Sequence, residues 1–434
     1  MMKEINIALL GFGTVGSGTA EALNRNRELI ESQLGCQVNL KTVLVRHPEK
    51  YAQLDILKGV RVTSDYQEIL SDSSIQIVIE VMGGIHPAKE YIYAALQRGI
   101  SVVSANKDLV ALYGPEIIQI ALTHHVNFSC EASVGGGIPI LQPLHDSLAG
   151  NRVDKIIGIV NGTTNYILTN MTDNGASYED ALKEAQAKGF AEADPTNDVC
   201  GYDAARKLAI LTSIGFRANV TFDDVLVEGI EKIQQEDVTY ARDMGYVIKL
   251  LAVALREGDG VALNVYPAFV PKSHPLASVK GAYNAIYVVG NVVDDVMFYG
   301  QGAGSLPTAS AVMGDVISTI KHISNGSAGT GMIMTDIQRI PFYSSLKLKD
   351  SYYFRLIVDD VTGVLASIAR IFADNDISIN EVVQKRRFEK FAELMLIVDT
   401  SPRENILRVE DALKNLPTVK SIANIIRVMN DDKK

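Results

Sequence analysis

The chain has 434 residues, a formal net charge of −10 and a hydrophobic fraction of 47%. This composition is ordinary for a folded protein and excludes collagen-like, mucin-like and wholly disordered chains. The length predicts about three domains. Acidic and basic residues are evenly mixed, which argues against nucleic acid as a partner, and no apolar run approaches the ~18 residues of a membrane helix.

Cysteine usage points to a reducing compartment. The three cysteines, Cys36, Cys130 and Cys200, are too few and too scattered for a disulfide framework or a cysteine-rich metal site. The first residues, MMKEINIALLGFG, are unlike a secretory leader because their apolar run is short and ends at a glycine. We therefore expect a cytoplasmic protein.

The first 133 residues alternate short β-branched runs with helix-like segments. The strand-like runs are INIALL, KTVLV, IQIVIEV, ISVVSA and VNFSC. This rhythm is typical of βαβ units around a parallel sheet. The predicted class is α/β, with a Rossmann-like doubly wound parallel sheet.

A glycine-rich turn follows the first strand-like run and precedes a helical segment. Its residues are Gly11, Phe12, Gly13, Thr14, Val15 and Gly16. In the dinucleotide fingerprint the first glycine permits the tight turn, the second lets the backbone approach the pyrophosphate, and the third allows close helix–strand packing. The phosphates then lie at the positive end of the helix. A simple turn is the alternative.

The second strand-like run ends at Val45 and is followed by Arg46 and His47. NAD-preferring proteins usually carry an acidic residue here for the ribose hydroxyls, whereas a guanidinium suits a 2′-phosphate. We expect NADP(H), with NAD(H) as the alternative cofactor. The alternative interpretation is that Arg46 is a solvated loop cation.

Lys107 follows the run ISVVSA, at the carboxyl end of a parallel strand, where ligands gather in doubly wound sheets. It could reach the nicotinamide or a substrate oxyanion, or it could be an ordinary surface lysine. The loop from Glu131 to Pro139 is too rich in glycine for a helix or strand interior. Its backbone carbonyls beside one carboxylate are hard oxygen ligands for a cation, but a hinge between domains explains the glycines equally well.

The middle of the chain, to about residue 304, reads as α+β. Its polar loop Asn161–Tyr166 could line a pocket or form a turn with a helix cap. Downstream, Asp203 and Lys207 lie four residues apart on a predicted helix. The simplest interpretation of that spacing is an exposed ion pair that contributes about 0.3–0.5 kcal/mol to stability.

In a cleft, Glu192 and Asp203 could instead bind a substrate ammonium while a lysine acts as proton donor. Its pKa would be lowered by partial burial or by a cationic neighbour such as Lys107. An ammonium also stabilises the negative charge that hydride delivery builds on a carbonyl oxygen. The sequence has no HExxH or GxSxG motif, so hydrolase chemistry is not indicated.

The last third has three parts. The glycine-rich stretch FYGQGAGSLPTASAV leads into a helix predicted near 307–322, and 324–350 reads as a linker. Beyond it, the order βαββαβ in about 80 residues predicts a ferredoxin-like unit.

Six segments together carry a family resemblance over essentially the whole length. They are GFGTVGSG, SANKDLVA, EASVGGGIPI, GIVNGTTNYIL, AEADPTNDVCGYDAARKLAIL and FYGQGAGSLPTASAV, in this order. The chain resembles homoserine dehydrogenases of the long form, which carry a C-terminal ACT domain. The resemblance implies NADPH-dependent, reversible reduction of L-aspartate 4-semialdehyde to L-homoserine, toward threonine, isoleucine and methionine.

The resemblance also implies a domain plan and an assembly. The cofactor domain would span 1–134, completed by 305–345. The catalytic and dimerisation domain would span 135–304, and the ACT domain 350–434. A homodimer or homotetramer is expected.

The same resemblance implies roles for individual residues. Lys207 resembles the proton donor and Lys107 the second active-site lysine, while Glu192 and Asp203 resemble substrate ligands, with Asp198 nearby. The implied cofactor-binding residues are the glycine turn 11–16, Arg46, Ser104, Lys107, Gly189 and Gly302. A monovalent cation, usually sodium, would bind Glu131 and the backbone carbonyls of Val134, Gly136 and Ile138.

The ACT-like region carries Asp359, Gly363 and Leu365 at its first strand-to-helix turn and Asn380 in the next strand. Such modules typically pair edge to edge and bind an amino acid, so threonine is the expected effector. A non-catalytic amino-acid sensor is a second interpretation, but it predicts loss of the lysine pair, and both lysines are present. A dehydrogenase acting on aspartate is a third.

Overall fold

The computed structural model describes residues 3–51, 53–331, 337–338, 340–387 and 390–430. The chain forms two compact units. Unit 1 comprises Met1–Ile156, Arg206–Asp224 and Asn284–Ile340, and unit 2 comprises Ile157–Ala205, Val225–Tyr283 and Pro341–Lys434.

Each strand-like run of the first 133 residues contains a strand, and the three-residue β3 is an addition that the sequence pattern did not indicate. In chain order the strands are β1 (Lys3–Leu10), β2 (Cys36–Leu44), β3 (Arg61–Thr63), β4 (Ile75–Glu80), β5 (Ser101–Ser104), β6 (Phe128–Ser129), β7 (Val153–Ile159), β8 (Leu226–Val227), β9 (Tyr246–Glu257), β10 (Gly260–Pro271), β11 (Tyr283–Gly290), β12 (Asp294–Gln301), β13 (Lys349–Asp359), β14 (Ile379–Arg387), β15 (Phe391–Pro402) and β16 (Val419–Val428).

The helices are α1 (Thr14–Arg25), α2 (Arg27–Leu34), α3 (Gln67–Leu70), α4 (Ala88–Gln97), α5 (Lys107–Thr123), α6 (Gly162–Asn174), α7 (Tyr178–Ala187), α8 (Thr196–Val199), α9 (Tyr202–Gly215), α10 (Gln235–Asp243), α11 (Ser305–Ser324), α12 (Val364–Asp374) and α13 (Arg403–Lys414). Among the described residues, none of them is long and apolar enough to cross a bilayer.

Unit 1 is built on a parallel six-stranded sheet in the order β3-β2-β1-β4-β5-β6. This is the strand order of doubly wound dinucleotide-binding folds, so the predicted Rossmann-like class is confirmed. The central strand β1 is continuously apolar from Ile7 to Leu10 because helices cover both faces of such a sheet. Its residues Ile5, Ile7 and Leu9 are fully buried.

Helix α11 follows the middle segment of the chain and packs in unit 1. Val312, Val316 and Ile320, spaced by four residues, join the core that β1 and α1 share. Gly18 lies so close to the start of α11 that a Cβ there would be 2.7 Å from the carbonyl oxygen of Ser305. The glycine therefore lets the two helices meet at backbone distance.

Unit 2 contains strands in the order β9-β10-β16-β13-β15-β14, with β8 beside β10. The last four form the sheet of the predicted βαββαβ unit, which is confirmed. Its helices α12 and α13 contribute Ile368, Phe372 and Val409 to one core. Strand β16 also pairs with β10 in parallel register, with Ala268 opposite Arg427, so the C-terminal module shares a hydrogen-bonded sheet with the β9–β10 hairpin.

Candidate active site

The glycine turn after β1 has the geometry that its sequence predicts. Gly11 has φ +98°, and its N–H donates to the carbonyl oxygen of Leu44 at 2.9 Å. A Cβ on Gly16 would lie 2.3 Å from the Gly11 oxygen, whereas a Cβ on Gly13 would meet nothing within 4 Å. Gly16 thus serves close packing, and Gly13 leaves open space at the N-terminus of α1, where a pyrophosphate fits.

The other residues of the turn fix its position through contacts with the rest of unit 1. Thr14 and Val15 begin α1. The Thr14 carbonyl oxygen accepts a 2.7 Å hydrogen bond from the Ser305 hydroxyl, and Val15 packs against the buried core. Phe12 meets Tyr51 edge to face at 5.7 Å. The turn is therefore fixed on its protein side and open on the other.

A cavity of about 470 Å³ opens beside this turn within unit 1. Its lining includes Gly11, Gly13, Arg46, Met82 and Gly83. This volume falls in the range of small-molecule and cofactor sites. The exposed Arg46 stands at its margin, directly after β2, so its guanidinium is available to an anionic group bound there.

A buried polar network lies at the carboxyl ends of β4 and β5. Ser104 is fully buried, and its hydroxyl donates to Oε2 of Glu80 at 2.7 Å and accepts from the Asn106 N–H at 3.1 Å. Burial raises the pKa of the Glu80 carboxyl. Sequence reasoning missed Glu80, because a glutamate at the end of the apolar run IQIVIE looks like a solvated strand end.

The two lysines singled out in the sequence both belong to unit 1. Lys107 is the first residue of α5, and Lys207 lies in α9. Their neighbours Asp108 and Arg206 form an ion pair of 3.4 Å. This pair ties the first turn of α5 to α9, so the two lysine-bearing segments come together.

Asn161 organises a cluster of acidic residues in unit 2. Its Nδ2 donates to Oδ1 of Asp198 at 2.7 Å and to Oδ2 of Asp203 at 2.9 Å. Its Oδ1 accepts from the Thr164 N–H at 2.8 Å and so caps α6. The sequence left this loop open between a pocket and a helix cap, and the structure shows the helix cap.

Two further predicted residues lie in the exposed segment after α7. Gly189 has φ +74°, and its N–H donates to the Gln186 carbonyl oxygen at 3.0 Å. The carbonyl oxygen of Glu192 accepts from Gln186 Nε2 at 3.1 Å. The Glu192 carboxylate is exposed and has no hydrogen bond or ion pair to any described residue. Asp198 and Asp203 are thus grouped, whereas Glu192 is not joined to them.

The glycine-rich loop after β6 surrounds a buried carboxylate. Glu131 accepts through Oε1 from the N–H groups of Ile140 and Leu141 at 2.5 and 2.8 Å, and through Oε2 from Gln142 at 2.7 Å. Its own N–H donates to Asp315 at 2.8 Å. Burial raises the pKa values of both Glu131 and Asp315.

This loop also packs backbone to backbone against residues 301–304. Gly136 has φ +54°, and a Cβ there would be 2.4 Å from the Gly302 carbonyl oxygen; a Cβ on Gly302 would be 1.7 Å from Oδ1 of Asn284. Val134 and Ile138 are buried on either side.

No group of three or more His, Cys, Asp or Glu side chains in the described ranges is arranged to hold a metal. A cation here would therefore depend on Glu131 and backbone carbonyls, which are hard oxygen donors.

Comparisons with protein-family models match three segments of the chain. The family model described as homoserine dehydrogenase matches residues 139–317, its NAD-binding domain matches 11–131, and the ACT domain matches 352–418. The homoserine dehydrogenase of Bacillus subtilis is 39% identical over 429 residues, which cover 98% of this chain and 99% of that protein. The chain belongs to the homoserine dehydrogenase family.

Solved structures agree with this assignment. A homoserine dehydrogenase from Thiobacillus denitrificans superposes with a TM-score of 0.93 at 38% identity, covering 99% of each chain. A hyperthermophilic archaeal homoserine dehydrogenase in complex with NADPH has a TM-score of 0.62 at 27% identity, and covers 73% of this chain and 97% of its own. Homoserine dehydrogenases are NAD(P)-dependent oxidoreductases that act on a CH–OH group. The resemblance to the long form with a C-terminal ACT domain, which the sequence motifs indicated, is confirmed.

Proposed function

We propose that the chain catalyses the NADPH-dependent, reversible reduction of L-aspartate 4-semialdehyde to L-homoserine, in the route to threonine, isoleucine and methionine. The observation that carries this proposal is the Asp108–Arg206 ion pair. The ion pair links the segments that carry Lys107 and Lys207. These two lysines can stabilise negative charge on the substrate oxygen and transfer a proton to it. The segment of Lys107 begins at the carboxyl edge of the NAD-binding sheet.

The cofactor preference rests on Arg46. A bound nicotinamide would supply the hydride, and this chain's residues would hold the dinucleotide through the turn 11–16, Ser104, Lys107, Gly189 and Gly302. The Arg46 guanidinium can form paired hydrogen bonds with a 2′-phosphate, which NADPH has and NADH lacks. The archaeal relative in complex with NADPH supports this choice, and NAD(H) is the weaker alternative.

In the proposed chemistry, Lys207 donates a proton to the carbonyl oxygen as it becomes an alkoxide, and Lys107 stabilises the developing negative charge. Glu192 and Asp203 bind the substrate ammonium. Asp198 acts through Asn161, whose amide it shares with Asp203. In the oxidative direction the deprotonated Lys207 accepts the hydroxyl proton of homoserine.

We also propose a sodium ion bound by Glu131 and the backbone carbonyls of Val134, Gly136 and Ile138. The support is chemical: the buried Glu131 carboxylate has only N–H donors as hydrogen-bond partners in the described residues. A monovalent cation would offset its buried charge.

The C-terminal module is proposed to bind threonine. Gly363 has φ +88° and precedes α12, whose second residue is Leu365, while Asp359 ends β13 and Asn380 lies in β14. We propose that the turn between β13 and α12 binds the amino acid together with Asn380. A threonine titration that gives neither heat nor a change in rate would remove this part of the proposal alone.

The remaining assignments follow the family resemblance. We propose a cofactor domain over 1–134 completed by 305–345, a catalytic and dimerisation domain over 135–304, and a regulatory domain over 350–434. A homodimer or homotetramer in the cytoplasm is proposed, and the absence of a disulfide among the three cysteines supports that compartment.

The deciding experiment replaces the proton donor. Lys207→Ala should lower kcat for homoserine oxidation by about 10² or more while leaving NADPH binding intact. Lys321→Ala, which changes an exposed lysine on α11, is the matched control and should keep normal kcat. Near-normal turnover in Lys207→Ala would remove Lys207 from this role. Assays of wild type with both cofactors, and with aspartate in place of homoserine, test the cofactor and the substrate.

A further inference from the structure

Glu80 holds together two loops that border the cofactor cavity. It ends β4 beside Ser104 of β5, is fully buried, and faces the carboxyl edge of the sheet. Its Oε1 accepts from the N–H of Met82 at 2.8 Å and of Gly83 at 3.3 Å. One carboxylate oxygen therefore fixes the backbone that turns away from β4.

The second carboxylate oxygen reaches the other loop. Oε2 accepts from the Ser104 hydroxyl, which itself accepts from the Asn106 N–H. The Asn106 side chain then donates from Nδ2 to the Gly84 carbonyl oxygen at 2.6 Å and accepts through Oδ1 from Leu109 at 3.2 Å. These bonds form a closed ring that runs from Glu80 through both loops and back.

Each loop presents something to the proposed reaction. Met82 and Gly83 line the cavity beside the glycine turn, and a Cβ on Gly11 would lie 3.2 Å from the Cα of Met82. Asn106 caps α5, whose first residue is Lys107. The ring of hydrogen bonds thus connects the cavity wall to Lys107. None of the side chains in the ring takes part in the reaction itself.

We propose that Glu80 is a positioning residue, which through Ser104 and Asn106 sets the orientation of Lys107 and through Met82 and Gly83 sets the wall of the dinucleotide site. This inference rests on the proposed function only for the part that concerns Lys107. The cavity wall requires only that the chain bind a nicotinamide dinucleotide.

A second buried network supplies a matched control. Asn127 precedes β6 at the opposite, amino edge of the same sheet and is 2% exposed. Its N–H donates to Ser101 at 3.1 Å, its Oδ1 accepts from the Gly329 N–H at 3.0 Å, and its Nδ2 lies 2.9 Å from His322. Asn127→Ala therefore removes the side-chain hydrogen bonds to Gly329 and His322 without touching the cavity.

The test uses the full chain with Glu80→Ala, Glu80→Gln and Asn127→Ala. NADPH binding is followed by the fluorescence of the cofactor itself, steady-state rates with homoserine give kcat, and circular dichroism gives Tm. Glu80→Ala should lower kcat at least 10-fold and weaken NADPH binding several-fold. Glu80→Gln, which can still accept from Met82 and Gly83 and bond to Ser104, should stay within about 3-fold of wild type.

Asn127→Ala should lower Tm but keep kcat and NADPH affinity within about 2-fold of wild type. Unchanged kcat and affinity in Glu80→Ala would overturn the proposal. The proposal would also be overturned if Asn127→Ala and Glu80→Ala lost equal kcat at an equal loss of Tm. The loss of kcat would then come from general destabilisation. Failure of Glu80→Gln to restore activity would overturn positioning by hydrogen bonds.

Asn106→Ala keeps the test valid should Glu80→Ala not fold. It cuts the ring between the two loops but leaves the bonds of Glu80 to Met82 and Gly83. It should lower kcat severalfold while changing NADPH affinity little, and the reverse pattern would contradict the proposed division. Failure of the proposed function would appear separately, as wild type that binds NADPH but does not oxidise homoserine.

Discussion

Unit 1 and unit 2 both bury carboxylates, but they compensate the buried charge differently. In unit 1, the hydrogen bonds to Glu80 and Glu131 come from neutral backbone N–H groups and one hydroxyl. In unit 2, Arg355 is 3% exposed and its Nε lies 2.7 Å from Asp237, while its Nη1 lies 3.1 Å from Glu393. One arginine thus serves two buried acids.

The arginine network joins the C-terminal module to the rest of unit 2. Arg355 lies on β13 and Glu393 on β15, whereas Asp237 belongs to α10. Tyr240 on the same helix donates its hydroxyl to Glu393 at 2.6 Å, and Asn424 on β16 donates to Asp237 at 2.8 Å. The pKa of Arg355 is raised because these acids outweigh its burial.

The difference separates structural acids from candidate ligand groups. A buried carboxylate without a cation has a raised pKa and remains costly to ionise, as at Glu80 and Glu131. Such groups cluster at functional sites, and both lie beside residues that we propose for cofactor or cation binding. Around Arg355 the charge is compensated within the protein, so we expect its effect to be on stability.

The sharpest test of this contrast removes the arginine. Arg355→Met leaves Asp237 and Glu393 buried without their cation, so we expect a loss of about 3–5 kcal/mol in the free energy of unfolding. Urea unfolding measures it. Arg370→Met, at an exposed pair with Asp374, should cost less than about 1 kcal/mol. A loss below 1 kcal/mol for Arg355→Met would end the distinction.

A buried cation in unit 2 provides the next test, because no carboxylate among the described residues forms an ion pair with Lys249. Its Nζ donates to the Asn165 side chain and the Val279 carbonyl oxygen, and burial lowers its pKa from 10.5 to about 8.

Between pH 8 and 10.5 the unfolded chain holds a proton at this lysine that the folded chain has released. Stability therefore rises with pH in this window, by at most about 1.4 kcal/mol per pH unit. Unfolding of wild type and Lys249→Met across this range should differ by that slope, and parallel curves would contradict the assignment.

The smallest expected effect sharpens the reading of Glu131. Burial raises its folded pKa above 4.5, so folding stability from this group falls as the pH rises and the carboxylate ionises. A sodium ion should offset that loss, by about 1 kcal/mol when sodium is at five times its Kd.

Sodium chloride should therefore raise Tm more at pH 8 than at pH 5, relative to choline chloride at equal ionic strength. Glu131→Gln should abolish the difference. An equal shift with both salts would indicate general screening rather than a bound ion.

Local patterns made much of the fold predictable. The β-branched runs, the glycine turn 11–16 and the βαββαβ order depend on residues close in sequence, and the structure contains each of them. The predicted helix that carries Asp203 and Lys207 is present as α9. The short strand β3 was not, because three residues carry too little pattern.

Long-range polar partners were not predictable. Arg355 lies within a run that reads as an ordinary strand, and its partners Asp237 and Glu393 are 118 and 38 residues away. Glu80 likewise looks like a solvated strand end until Ser104, 24 residues later, is brought beside it. Sequence spacing identifies which residues can react, whereas the buried groups that orient them appear only when the chain is folded.

The pairing of β16 with β10 has a consequence for how such a chain can diversify. The Met429 N–H donates to the Phe269 carbonyl oxygen at 2.9 Å, so hydrogen bonding with β10 continues almost to the last described residue. Recombination that exchanged the C-terminal module between relatives would succeed only if the new module brought a strand that matches the edge of β10 and an arginine that pairs with Asp237 of the host. The module therefore depends on its host for one neighbouring strand and for part of the charge compensation of Arg355.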